Sequence, residues 1–184
     1  MQHVSTDDGY YTPSAWPGLR SSDGWNWGAT ASSLPVAAGL VTGRELRLGR
    51  IHHALAAAIP NPCARVFAWP AQRTDGAQQS TNCIPEGARL RLDPNVDVAS
   101  LGLSPVGEMF AKAAQTYGII VRDRTFATVS FYVEDVSTAG KTAYGRGVWG
   151  NGPGWNPLDR FPWRRLQVLA MKLCSRAPCT STRR

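Results

Sequence analysis

The sequence predicts a mainly β fold: a β-sandwich or jelly-roll-like pair of sheets with one amphipathic helix at about 104–117 and one short helix at about 42–48. Three observations predict it. Gly 18 and Pro 13 in 184 residues break the chain too often for a helix bundle. Short runs rich in β-branched and aromatic residues, such as Arg65–Trp69 and Ala127–Val133, are bounded by turn residues. A sustained helical period occurs only once, from Val106 through Met109, Phe110 and Ala113 to Tyr117.

Taken in order, residues 1–33 are polar, aromatic and Gly-rich with no lasting period, and form a loop-rich N-terminal segment. Residues 34–173 form a single β-rich domain, and 174–184 a basic flexible tail. Leu34–Val41 is short and apolar. Thr42 with Glu45 makes a capping-box pattern, opening a helix that Gly49 ends. Ile51–Ile59 fits a helix face and a strand face alike, but Gly49 and the Pro60-Asn61-Pro62 corner confine it to a strand's length. Arg65–Trp69 is a second strand, closed by Pro70. Gln72–Pro85 is polar loop. In Ala88–Leu92, Arg89 and Arg91 alternate with Leu90 and Leu92, as a half-buried strand requires. Ser104-Pro105 starts the long helix, with serine at the cap and proline at the first helical position. Ile119–Val121 and Ala127–Val133, either side of Asp123-Arg124-Thr125, read as a hairpin. Residues 136–156 are Gly-, Asn- and Trp-rich loop, and Pro162–Leu173 is a turn followed by a last strand.

Composition narrows the function classes. Apolar residues at 43% and charged residues at 18% describe a globular chain. The net charge of +7 suits an anionic polymer or surface. The basic residues are scattered, however, and no stretch interleaves them with aromatics, so no specific nucleic-acid binding is expected. No apolar run reaches the roughly 18 residues of a membrane span. MQHVSTDDGYY lacks the basic and apolar regions of a signal peptide. Four cysteines allow three connectivities. The local one, Cys63–Cys83 with Cys174–Cys179, is the simplest, and four unpaired thiols are the rival. His52 and His53 stand at no zinc-binding spacing from the cysteines, so the sequence predicts no metal and no cofactor.

Three segments together carry a resemblance: Gly49–Leu55 (GRIHHAL), Val66–Gly76 (VFAWPAQRTDG), and Ile84–Asp93 (IPEGARLRLD) leading to Tyr117–Asp123 (YGIIVRD). They resemble a group of uncharacterised secreted bacterial proteins over roughly residues 24 to 173. The resemblance implies an extracellular protein with a further β-rich region upstream, of which this chain is the C-terminal part or a shortened relative. It supplies compartment and fold class and no reaction.

The chemistry must come from the residues. Glycan hydrolysis needs two carboxyl groups, one protonated and one ionised, across the scissile bond. The candidates are Asp75, Glu86, Asp123, Glu134 and Asp135. Asp75 and Asp123 follow apolar strands at polar turns, where a scaffold can hold a site, although turn chemistry alone also explains both. His53, on the strand face of Leu55, would be a general base if it met one of these aspartates; a core histidine bonded to backbone is the alternative. No Gly-x-Ser-x-Gly frame supports a serine nucleophile. Arg73, Trp149, Asn151 and Trp155 are the candidate ligand-binding residues, because flat indoles with amide donors suit a sugar ring; anchoring of the long loop is the competing explanation. The sequence thus predicts an extracellular bacterial protein that binds, and in the stronger form processes, carbohydrate or another extracellular polymer. A non-catalytic surface or structural module, and a hydrolase with a carboxylate–His pair, stay open.

Overall fold

The computed structural model describes residues 30–135, 157–177 and 179. Among these the fold is mainly β, with two sheets and two α-helices. The strands are β1 (Leu55–Ile59), β2 (Pro62–Ala68), β3 (Ile84–Glu86), β4 (Arg89–Leu92), β5 (Ile119–Arg124), β6 (Ser130–Phe131), β7 (Leu166–Val168) and β8 (Leu173–Cys174). A five-stranded sheet runs in the order β6-β1-β5-β4-β7, and a three-stranded sheet in the order β3-β2-β8.

Both helices form where local chemistry puts them. In α1 (Gly43–Leu48) the Thr42 hydroxyl accepts the Glu45 N–H at 3.2 Å, and the Glu45 carboxylate accepts the Thr42 N–H at 2.9 Å. This satisfies two donors the first turn would leave open. In α2 (Pro105–Thr116) the Ser104 hydroxyl accepts the Gly107 N–H at 3.0 Å. Its apolar stripe of Val106, Met109, Phe110 and Ala113 packs on Leu55, Ala57, Ile119 and Val121 of the large sheet. Each large apolar side chain fully buried there stabilises the fold by about 1.5–3 kcal/mol. The opposite face meets the small sheet, where Phe67, Ala71 and Leu34 pack with Ile120. The order is therefore helix, large sheet, small sheet.

Pairing departs from the sequence reading in two places, at the expected hairpin and in the segment before β4. The hairpin expected around Asp123-Arg124-Thr125 does not form, because β1 lies between β5 and β6, parallel to the first and antiparallel to the second. Ala57 and Ala58 accommodate both neighbours, and a central strand buries more than a hairpin edge would. The two strands of the Ile51–Gly76 stretch, β1 and β2, follow one another but belong to different sheets. The polar segment 72–85 is not all loop, since β3 begins at Ile84 and pairs in parallel with β2.

Both local disulfides are present, Cys63–Cys83 and Cys174–Cys179. The tail expected from residue 174 begins as β8, and Cys179 is buried, its N–H donating to Gln72 Oε1 at 2.7 Å. Among the described residues, no helix is long and apolar enough to cross a membrane.

Candidate functional site

The strongest concentration of chemistry lies between the sheets, where three carboxyl groups from separate segments converge. Asp75 comes from the loop after β2, Glu86 from the end of β3 and Asp123 from β5. One oxygen from each lies within 4.8 Å of the others. Glu86 is fully buried, Asp123 half-buried and Asp75 exposed, so the group runs from the interior to the surface.

A break in β5 aims Asp123. Ala57 pairs with Val121 but Ala58 pairs with Asp123, so Arg122 is the extra residue of a bulge. Successive strand residues ordinarily point to opposite faces, and a bulge cancels that alternation. Arg122 and Asp123 consequently both reach Tyr132. The guanidinium carbon of Arg122 stands 3.7 Å from the centre of the Tyr132 ring, and the Tyr132 hydroxyl donates to Asp123 Oδ2 at 3.0 Å. The Arg124 N–H donates to Asp123 Oδ1 at 2.9 Å. Arg122 is itself buried and spends Nη1 on the carbonyls of Pro35, Val36 and Ala38. It ties the 35–38 segment to the sheet instead of pairing with a carboxylate.

Glu86 is held just before the chain turns from β3 into β4. Its Oε2 accepts the Asp75 N–H at 3.2 Å, while Oε1 is buried without a hydrogen-bond partner. Burial, reinforced by the charges of Asp75 and Asp123, pushes its pKa up to about 8. None of the three carboxyls makes an ion pair among the described residues. Arg124, which is exposed, donates to the Asp75 carbonyl oxygen at 3.4 Å and not to a carboxylate. Burial and then Asp123 push the Tyr132 hydroxyl up to about 12, so it stays a donor at physiological pH.

Asp75 and Asp123, chosen from sequence, are thus brought together. His53 does not join them. Its Nε2 contacts Glu45, at 3.1 Å from Oε1, and its Nδ1 lies 2.9 Å from the Ala54 carbonyl oxygen. Asp123 sits in register with Ala58 inside β1, whereas β1 begins only at Leu55, not at Ile51 as the sequence suggests, and His53 lies in a bend before it. His53 and Glu45 instead border a surface depression shared with Arg44, Arg47, Arg50 and His52. Burial would raise the Glu45 pKa, but hydrogen bonds from Thr42 and His53 outweigh it and lower it. Arg73 donates Nε and Nη2 to the carbonyls of Ala31 and Thr30, at 2.8 and 2.9 Å, and so fastens the start of the described chain. Glu134 accepts the Gly43 N–H at 2.8 Å beside α1. Trp149, Asn151 and Trp155 lie outside the described residues.

Three participants were missed as site residues. Glu86 stood among the candidate carboxylates, and its sign was a lone acid in the apolar Ile84-Pro85-Glu86-Gly87-Ala88 run. Tyr132 and Arg122 had no such sign, because a bulge leaves no mark on the hydrophobic pattern. A further aromatic platform lies on the helix side of the large sheet. Trp163, 36% exposed, stacks on Phe131 at 6.1 Å and 20° and borders a cleft with Asn61 and Asn82.

No family model, curated protein or solved structure matches this chain.

Proposed function

We propose that this chain is an extracellular bacterial protein that binds and hydrolyses a cell-wall or plant polysaccharide. Asp75 and Asp123 are the carboxyl pair that meets the glycosidic bond. The observation that carries this reading is the carboxyl trio itself: three acids converge without an ion pair, and the buried one keeps its proton at neutral pH. Like-charged groups this close share protons as a unit. Glu86, out of solvent contact, sets how many protons the unit holds, and the exposed Asp75 is where a leaving oxygen receives one.

The steps balance in two displacements. The proton held by Glu86 passes by way of the Asp75 carboxyl to the glycosidic oxygen, whose bond to the anomeric carbon breaks as the Asp123 carboxylate, oriented by Tyr132 and the Arg124 N–H, bonds to that carbon. Water then displaces Asp123 from the anomeric carbon, and its proton returns by way of Asp75 to Glu86, restoring all three carboxyls. One oxygen of Asp75 and one of Asp123 lie within 4.8 Å of each other, short of the ~6.5–9.5 Å that leaves room for water in inverting enzymes and on the side of the retaining ones. The product keeps its anomeric configuration.

Two further features support the reading. Both disulfides suit an oxidising compartment outside the cytosol, as does the resemblance to secreted proteins. The Trp163–Phe131 stack offers a flat face beside two amides on the other side of the large sheet, where it would hold a second stretch of the polymer and not the bond being cleaved. The test is reducing-end release from a panel of wall and plant polysaccharides. Wild type cleaves at least one, and Asp75→Asn and Asp123→Asn each lose about 10²–10⁴-fold in rate. A panel left intact, with no change in tryptophan fluorescence on adding any member, overturns the proposal.

A further inference from the structure

We propose that Asp75, Glu86 and Asp123 also form a binding site for a divalent cation of the calcium type. The inference uses the same trio as the hydrolase reading but does not depend on it.

The donor set is the first support. One oxygen from each residue falls within 4.8 Å of the others, the span of oxygens around one Ca²⁺ at 2.3–2.6 Å. The set is oxygen only, which suits a hard cation over zinc or copper. The second support is separate and comes from Glu86. This carboxyl is fully buried, makes no ion pair, and leaves Oε1 without any donor. Its other oxygen accepts the N–H of Asp75, another member of the trio, and Thr74 also hydrogen-bonds the carboxyl. A buried acceptor left open is rare in folded proteins, and a cation fills it.

The charged groups facing the trio do not do so. Arg122 commits Nη1 to the carbonyls of Pro35, Val36 and Ala38 and lays its guanidinium on the Tyr132 ring, and its buried Nε and Nη2, though open, make no hydrogen bond to Glu86. Arg124 reaches a carbonyl oxygen of Asp75, and Tyr132 gives its proton's hydrogen bond to Asp123. Exposed Asp75 leaves a path from solvent and room for water ligands, which calcium's loose coordination accepts more readily than magnesium's strict octahedron. Bound cation requires ionised carboxyls, so affinity rises with pH.

The experiment is titration calorimetry of the full, metal-stripped chain with CaCl₂ at about pH 6.5 and 8.5, with MgCl₂ and NaCl arms. One Ca²⁺ is expected to bind with Kd on the order of 10⁻⁴–10⁻³ M at the higher pH. Asp75→Asn, in an exposed loop that folding tolerates, weakens binding at least tenfold, as does Asp123→Asn. Absence of heat and of any calcium-dependent rise in melting temperature at about 10 mM CaCl₂ overturns the site. So does binding unchanged in both variants, which would mean an adventitious ion only. Cleavage without calcium binding defeats this inference alone; calcium binding without cleavage defeats the hydrolase reading alone.

Discussion

Glu86 is a carboxyl group placed where its charged form is least welcome. Burial and two neighbouring aspartates raise its pKa to about 8 from an ordinary 4.5. Between those values the folded state binds more protons than the unfolded state, so stability falls as pH rises through the window and levels off above about 8. One such group sets a slope of at most about 1.4 kcal/mol per pH unit. Denaturant unfolding of wild type from pH 5 to 9 should show this decline, and Glu86→Gln, which cannot ionise, should flatten it. A wild-type profile equally flat would mean that the trio carries no shared proton. Asp123 is a different case, because Tyr132 and a backbone N–H supply it with donors. Tyr132→Phe removes one donor while leaving the ring under Arg122, and is expected to destabilise by about 1.5–3 kcal/mol, the range for a hydrogen bond to a charged group.

The β3–β4 segment is the element that makes the site possible. β3 belongs to the small sheet and β4 to the large one, and the chain changes sheets at Gly87. Gly87 has φ +84, its N–H donates to the Val121 carbonyl at 2.7 Å, and a Cβ there would fall on the Ala68 carbonyl oxygen. Gly49, at φ +71 after α1, has open space around it. The two positions therefore separate conformation from contact. Gly49→Ala is expected to lose about 1–2 kcal/mol, the left-handed cost alone. Gly87→Ala meets backbone as well and should lose more than about 3 kcal/mol or fail to fold. Equal melting temperatures for the two variants would show that the sheet crossing is looser than this geometry. The bulge in β5 works on the same scale, turning two consecutive side chains toward Tyr132 where a regular strand would turn one away.

At the scale of the whole molecule, a small sheet of short strands must be kept against a larger one. Cys63–Cys83 ties β2 to the approach of β3, closing a loop with sequence separation 20. In the loop-entropy account this contributes about 3 kcal/mol. Cys174–Cys179 brings a buried residue back onto Phe67 and Ala71. Replacing Cys63 and Cys83 together by serine should lower the unfolding free energy by about that amount and loosen the β2–β3 edge that carries Asp75 and Glu86. Melting curves with and without reductant provide the check; a wild type indifferent to reductant would assign the sheet contact to packing alone.

The sequence by itself determined what local physics determines. Capping chemistry placed α1 and α2, alternation placed β4, β-branched and aromatic content placed β2, and cysteine spacing made the local pairing the simplest choice. Asp75 and Asp123 stood out because each ends an apolar strand at a polar turn. Tertiary structure alone decided which strands became neighbours, since parallel pairing of β1 with β5 and the crossing at Gly87 depend on contacts far apart in the chain. It also decided that Glu86 belongs with the two aspartates and that His53 belongs with Glu45. Side-chain periodicity says which face a residue occupies; only the register between strands, and one bulge within it, says what that face meets.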